Sequence, residues 1–397
     1  MTDYTENDLI DGIAPTTIEH ASPIEKKKFS GWHKPRKQWV RRNQWRNQIE
    51  SLIPRLKLDG RPLRYLSLPG EDMLDIRLIA DLCKSNGLQL KCLGYDEEAR
   101  NRTSQTEVNI SWNEVSNNIM ETSTLLPDNI AVLGNKHSQA FDYVDKLGPF
   151  DVINLDLCGA ISCVENPAYH EVLKNLCEYQ VNNHREPWLL FITTRAEYAQ
   201  VNLEHMPSYL NNVKENAAGS ATFGERLYKV TGFNIQTYNN TADLRILFEH
   251  FPGENFVRLF AVGFSKWLLK LMPQGSQGWK IEMLDTCQYR VEDNQSASSF
   301  PNMLSLAFCF SPVDFSLHDK SGLTSANPQP ALDEAVLALT ILDKTETATD
   351  LDVELDKNES LFNTLLTESA TLLKSARYEI NGYKEWAESR RIHFETN

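Results

Sequence analysis

Between residues 63 and 195 short apolar runs alternate with amphipathic stretches, and this limits the fold more than any other feature of the chain. LRYLSL (63–68) reads as a strand closed by Pro69-Gly70. The following EDMLDIRLIADLCKSNG carries its apolar residues at helical spacing, with Glu71 and Asp72 as first-turn acids and Asn86-Gly87 as the stop. LQLKCLGY (88–95), NIAVLGN (129–135), FDVINLDLCG (150–159) and PWLLFITTR (187–195) read as four more strands, with a helix-like stretch before each. The last is apolar throughout, as a strand buried on both faces must be. Five strands separated by helices make a parallel sheet with right-handed crossovers.

Beyond residue 195 the pattern changes. Residues 203–250 read as a helical insertion and 255–272 as a core helix. WKIEMLDTCQYRV (279–291) and NMLSLAFCFSPV (302–313) follow with only a polar loop between them, which predicts an antiparallel hairpin at one edge of the sheet. The chain divides into a flexible acidic lead (1–25), a basic aromatic-rich helical segment (26–60), an α/β domain (61–313), a linker (314–331) and an acidic helical region (332–397).

With 41% apolar and 24% charged residues among 397, such a chain can bury a large core, which excludes wholesale disorder and a disulfide-stapled miniprotein. Its seven cysteines form no CxxC pair and no metal-ligand spacing, which reads as reduced thiols in a cytoplasm and predicts no metal site. The first twenty residues lack the apolar run of a secretory signal. The most apolar long stretch, 256–272, carries Arg258, Lys266 and Lys270 and falls short of the ~20 residues a bilayer needs, so no membrane span is expected.

The net charge of −14 argues against nonspecific coating of DNA, but the charge is unevenly placed. Residues 26–46 hold nine Lys or Arg and no acid, interleaved with Phe29, Trp32, Trp39 and Trp45. Lys34, Arg36, Lys37, Arg41, Arg42 and Arg46 suit phosphate contacts, and tryptophan suits stacking on bases, a combination fit for RNA or single-stranded nucleic acid. The segment has two other uses. Its tryptophans can pack on the sheet with the cations solvated, or it can dock on the protein's own acidic C-terminal region. That region, with an apolar face of Leu361, Leu365, Leu366, Leu372, Leu373 and Ala376, is a cap on the domain or a partner-facing helical surface.

In an open parallel sheet, ligands bind beyond the carboxyl ends of the strands. The residues there are Leu68-Pro69-Gly70-Glu71-Asp72, Asp96-Glu97, Gly134-Asn135 and Asn154-Leu155-Asp156-Leu157-Cys158-Gly159. Five strand–helix units, a further helix and a terminal hairpin resemble the plan of class I S-adenosylmethionine-dependent methyltransferases over about residues 60–313. The resemblance implies an α/β Rossmann-like three-layer sandwich, with a mostly parallel seven-stranded sheet ending in an antiparallel hairpin and helical N- and C-terminal extensions. It also implies S-adenosylmethionine as cofactor. Leu68, Pro69, Gly70 and Glu71 would lie at its amino-acid end, Asp96 and Glu97 at the ribose and Asn135 at the adenine. Asn154 and Asp156 would be the catalytic pair that orients the acceptor, with Asp156 also at the cofactor.

The residue types suit those tasks: a carboxylate accepts two hydrogen bonds from a cis-diol, and a glycine lets backbone approach a ligand. This sequence departs from the family in having Gly70 alone in the first turn, after a proline, and in lacking the double proline and aromatic by which amino-methylating enzymes hold a base. The expected function is thus methyl transfer to a nucleic acid, RNA before DNA. The alternative is a catalytically inactive methyltransferase-like binding or scaffold subunit, with a bacterial antiviral defence or mobile-element system as its expected setting. Bland roles remain open at each position. Asp96 can cap the next helix, Glu71 and Asp72 can complement a helix dipole, and Cys158 can be a small apolar filler instead of a nucleophile.

Overall fold

The computed structural model describes residues 27–163, 168–240, 243–271, 278–291, 300–313 and 334–394. Its sheet runs β3-β2-β1-β4-β5-β8, after which β6 and β7 both pair with β8 and β9 lies beyond β7. The parallel part consists of β1 (Leu63–Ser67), β2 (Leu90–Tyr95), β3 (Thr124–Leu126), β4 (Val152–Asp156) and β5 (Trp188–Arg195). The antiparallel β8 (Met303–Val313) pairs along the whole of β5, and β6 (Gly278–Met283) and β7 (Cys287–Tyr289) pair with β8. The fold is Rossmann-like α/β, as the resemblance implies, with the parallel sheet that the alternation predicts. Among the described residues nine strands replace the expected seven, because the run 279–291 breaks into β6 and β7, and because Thr349–Asp350, as β9, adds to the edge beside β7.

After a short α1 (Pro35–Trp39), helices cover both faces. One face holds α2 (Asn47–Leu52), α3 (Leu74–Ser85) and α4 (Arg102–Ser116), which pack through Ile49, Leu52, Ile76, Ile79 and Val108. The other holds α5 (Gln139–Leu147), α6 (Ala168–Asn183) and α11 (Gly253–Leu271). The helical insertion adds α7 (Met206–Gly219), α8 (Ala221–Thr231), α9 (Ile235–Asn240) and α10 (Leu244–Glu249) to that side, and α12 (Glu334–Glu346) packs on α8 and α11. The central strand β5 is buried on both sides, and Trp188 stacks on Phe310 across the β5–β8 pair at 3.8 Å between ring centroids. The C-terminal α13 (Leu351–Lys357), α14 (Glu359–Ser375) and α15 (Tyr383–Glu388) form a third, smaller apolar cluster.

Two local expectations are corrected. NIAVLGN is not the third strand. Pro127 follows a shorter strand, Thr124–Leu126, and Asn129 then accepts from the Ala131 amide and starts a 3-10 turn, Ile130–Gly134. The helix expected from residue 71 begins at Leu74, because Met73 stands in the left-handed region at φ 52°, so Glu71 and Asp72 occupy a turn before it. The acidic lead and the 314–331 linker lie outside the described residues.

Candidate functional site

Parallel pairing places Ser67 opposite both Gly94 and Asn154, so the carboxyl ends of β1, β2 and β4 share one rim. Leu68 is half-buried there, and Pro69 is buried against Gly94. A Cβ at Gly94 would lie 3.2 Å from the Pro69 ring and 2.8 Å from a Leu125 methyl group. Gly94→Ala is therefore expected to destabilise by about 1–3 kcal/mol in urea melts, and a neutral result would mean that the proline shifts freely. Gly70, at φ 62°, faces open space. Glu71 is half-buried, and burial together with Asp72 pushes its carboxyl up.

Asp96 at the end of β2 is 9% exposed. Its Oδ1 accepts from the Glu98 amide, but its Oδ2 is buried without a partner. Burial, with Glu98 and Glu97 adding, raises its pKa. Glu97 is exposed and accepts from the Asn129 side chain at 2.7 Å. Asn135, set back by the corrected third strand, is exposed beyond the 3-10 turn and accepts from the His137 amide. Near the end of β3, Asn129 and Asp128 both reach across to β2's end, Asn129 to Glu97 and Asp128 to Arg100.

Asn154 is fully buried, donating to the Tyr65 hydroxyl at 2.9 Å while its Oδ1 has no partner. Tyr65 in turn donates to Asp75 at 2.9 Å. Burial raises the pKa of both Asp75 and Tyr65. Asp156, a quarter exposed, accepts from Lys37 Nζ at 2.5 Å. Burial alone would lower the Lys37 ammonium, but the Asp156 carboxylate outweighs it and holds the pKa above its ordinary value.

The basic segment is turned inward, which corrects its reading as a free cationic surface. Lys34, Arg36, Lys37 and Arg41 are each no more than 5% exposed. Arg36 donates to Asp352 at 2.6 Å, Arg41 to the Trp32 carbonyl at 3.0 Å, and Arg42, over a third exposed, to Glu368 at 3.0 Å. Arg46 is half-buried. Docking on the acidic C-terminal region is thus the arrangement found. Asp72 ties the parts together, accepting from Lys27 (2.8 Å), His33 (3.3 Å) and Tyr378 (2.7 Å). Burial pushes its carboxyl up, but hydrogen bonds from His33 and Lys27 win and bring it to about 2. His33, Asp75 and Tyr378 escape a reading of the sequence because their partners lie up to hundreds of residues away.

A second polar cluster past β4 also has no sequence signal. Ser162 lies 2.8 Å from His205 Nδ1, His205 stacks on His170 (4.6 Å between centroids) and His170 stacks on Trp267 (4.0 Å). Burial, then His205, lowers His170 from 6.5 to about 4, and burial lowers His205. A depressed folded-state pKa means that the unfolded chain takes up protons first. Stability is therefore expected to fall as pH drops from about 6.5 towards 4, read as a lower melting temperature. His170→Asn should flatten that slope, and an unchanged slope would reject the assignment.

Among the described residues no group of His, Cys, Asp and Glu is placed to hold a metal ion, and no helix is long and apolar enough to cross a membrane. A family profile described as PP_RS20740-like matches residues 26–388. No curated protein matches the chain. A solved rRNA methylase from Streptococcus thermophilus aligns with 64% of this chain and 89% of its own, at 9% identity and a TM-score of 0.28, a likeness too low to carry an inference.

Proposed function

The chain belongs to the PP_RS20740-like family, and we propose that it is a methyltransferase-type protein that binds S-adenosylmethionine at the carboxyl rim of β1, β2 and β4. The observation that carries this reading is the Asp96 carboxylate, buried at the end of β2 with one oxygen unpartnered. A buried acceptor left unsatisfied costs about 1–3 kcal/mol, and a ribose diol supplies the missing donors. Gly70, with nothing over its Cβ position, supports the same reading. Asp96 would hold the ribose, and the turn at Gly70 would receive the amino-acid end. The cofactor supplies an electrophilic methyl group, so the chain's own work is to position and exclude water. Asp156 would orient the acceptor from the end of β4. A nucleic acid remains the proposed acceptor.

One observation favours the second reading, a binding subunit without catalysis: Lys37 already occupies Asp156. Calorimetry with S-adenosylmethionine and S-adenosylhomocysteine separates the two. Heat of binding at micromolar ligand is expected. Folded protein that takes up neither would leave the binding-subunit reading.

A further inference from the structure

The segment before β1 falls into two physically different halves. From Val40 onward it belongs to the core: Val40, Trp45, Ile49 and Leu52 are at most 1% exposed. In residues 27–39 only the Pro35 ring is a buried apolar group. Phe29 and Trp39 are half-buried and Trp32 is 48% exposed. What this half buries is polar: His33, Lys34, Arg36, Lys37 and Gln38. Buried ion pairs repay little beyond their own desolvation, and a region with few buried apolar contacts opens at low cost. The boundary between the halves is a seven-residue π-helix, Val40–Arg46, a form that commonly marks functional sites in helices.

We propose that residues 27–39 are an autoinhibitory strap, hinged on the π-helix and closed over the carboxyl-end crevice in the resting protein. On the sheet side the strap is held by Lys27 and His33 on Asp72 and by Lys37 on Asp156. On the other side the C-terminal region latches it. Tyr383 donates to the His33 carbonyl at 2.5 Å and Asp352 accepts from Arg36. The Phe29 ring lies 5.0–5.9 Å from those of Tyr383, Trp386 and Tyr378. Opening frees the acids of the crevice while α2 and the sheet stay packed. What enters is the ligand of the proposed function, and the inference rests on that reading for this point alone.

Hydrogen exchange on the full chain tests the strap without any ligand. Amides of 33–39 are expected to exchange well before those of 47–52 and of β1 and β4. In the Tyr383→Phe variant, which loses the bond to the His33 carbonyl, their exchange should rise about tenfold while the sheet stays protected. Phe29→Ala, a half-buried change that spares the core, should act in the same direction. Strap amides as protected as β1 in all three proteins would overturn the proposal. S-adenosylhomocysteine titration adds the second arm, in which the latch variants should bind about tenfold more tightly. Equal affinity with a faster-opening strap overturns autoinhibition. Faster opening with no binding by any protein removes the cofactor reading and leaves the hinged strap in place.

Discussion

Asp151→Ala is expected to cost about 3–5 kcal/mol, the largest stability loss of any single substitution considered. Asp151 sits just before β4 and is fully buried. It accepts from Arg61 at 2.8 and 3.1 Å, from the Arg64 amide at 2.8 Å, from the Arg64 guanidinium at 3.3 Å and from His184 at 3.2 Å. Removing it strands several donors at the amino end of the sheet, two of them half-buried cations. It also loosens the contact that sets β4 beside β1. Burial pushes this carboxyl up, but the bonds from His184 and Arg61 prevail and hold it well below the usual carboxylate range. Its contribution is therefore complete above about pH 4 and is lost as pH falls below that value. Urea melts at pH 7 should show the full loss, and the acid limb of the stability curve should be shallower in the variant. A loss under about 1 kcal/mol would mean that the arginines swing out to water.

The same network shows where the sequence is legible and where it is not. The period of apolar residues locates β1, β2, β4, β5 and α6, because those elements bury whole faces and nearly every apolar position must comply. Asp151 stands at the start of the apolar run FDVINLD, and nothing nearby marks it as the acceptor for donors 33, 87 and 90 residues distant. The third strand fails for a related reason. Thr124–Leu126 is too short to show a period, whereas IAVLG is longer and more apolar but is wound into a turn by Asn129. The basic segment is the clearest case. Nine cations without an acid advertise a solvent-facing surface, and Asp72, Asp156, Asp352 and Glu368, brought in from strand ends and the C-terminal helices, pair with four of them. Of the residues placed at strand ends, Gly70, Asp96, Asn154 and Asp156 follow strands that the pattern locates, whereas Asn135 follows a 3-10 turn instead of the expected strand.

The largest functional effect should come from Asp96→Asn, which separates a ligand-binding role from a capping one. Asparagine keeps the oxygen that accepts from the Glu98 amide at 3.0 Å, so the turn after β2 stays capped. It removes the charge from a buried carboxylate whose other oxygen has no partner, a change that should leave stability level or raise it by up to about 1 kcal/mol. A residue kept for binding at the expense of the fold behaves in this way. Hydrogen bonds to a charged acceptor contribute about 1.5–3 kcal/mol each, so affinity for S-adenosylhomocysteine should fall ten- to a hundredfold. Asn135→Ala, at an exposed turn, should change neither quantity. If Asp96→Asn destabilises the fold by more than about 1 kcal/mol and binds as wild type does, the carboxylate is there for the turn alone. The crevice would then lose the one group that ties it to a ribose.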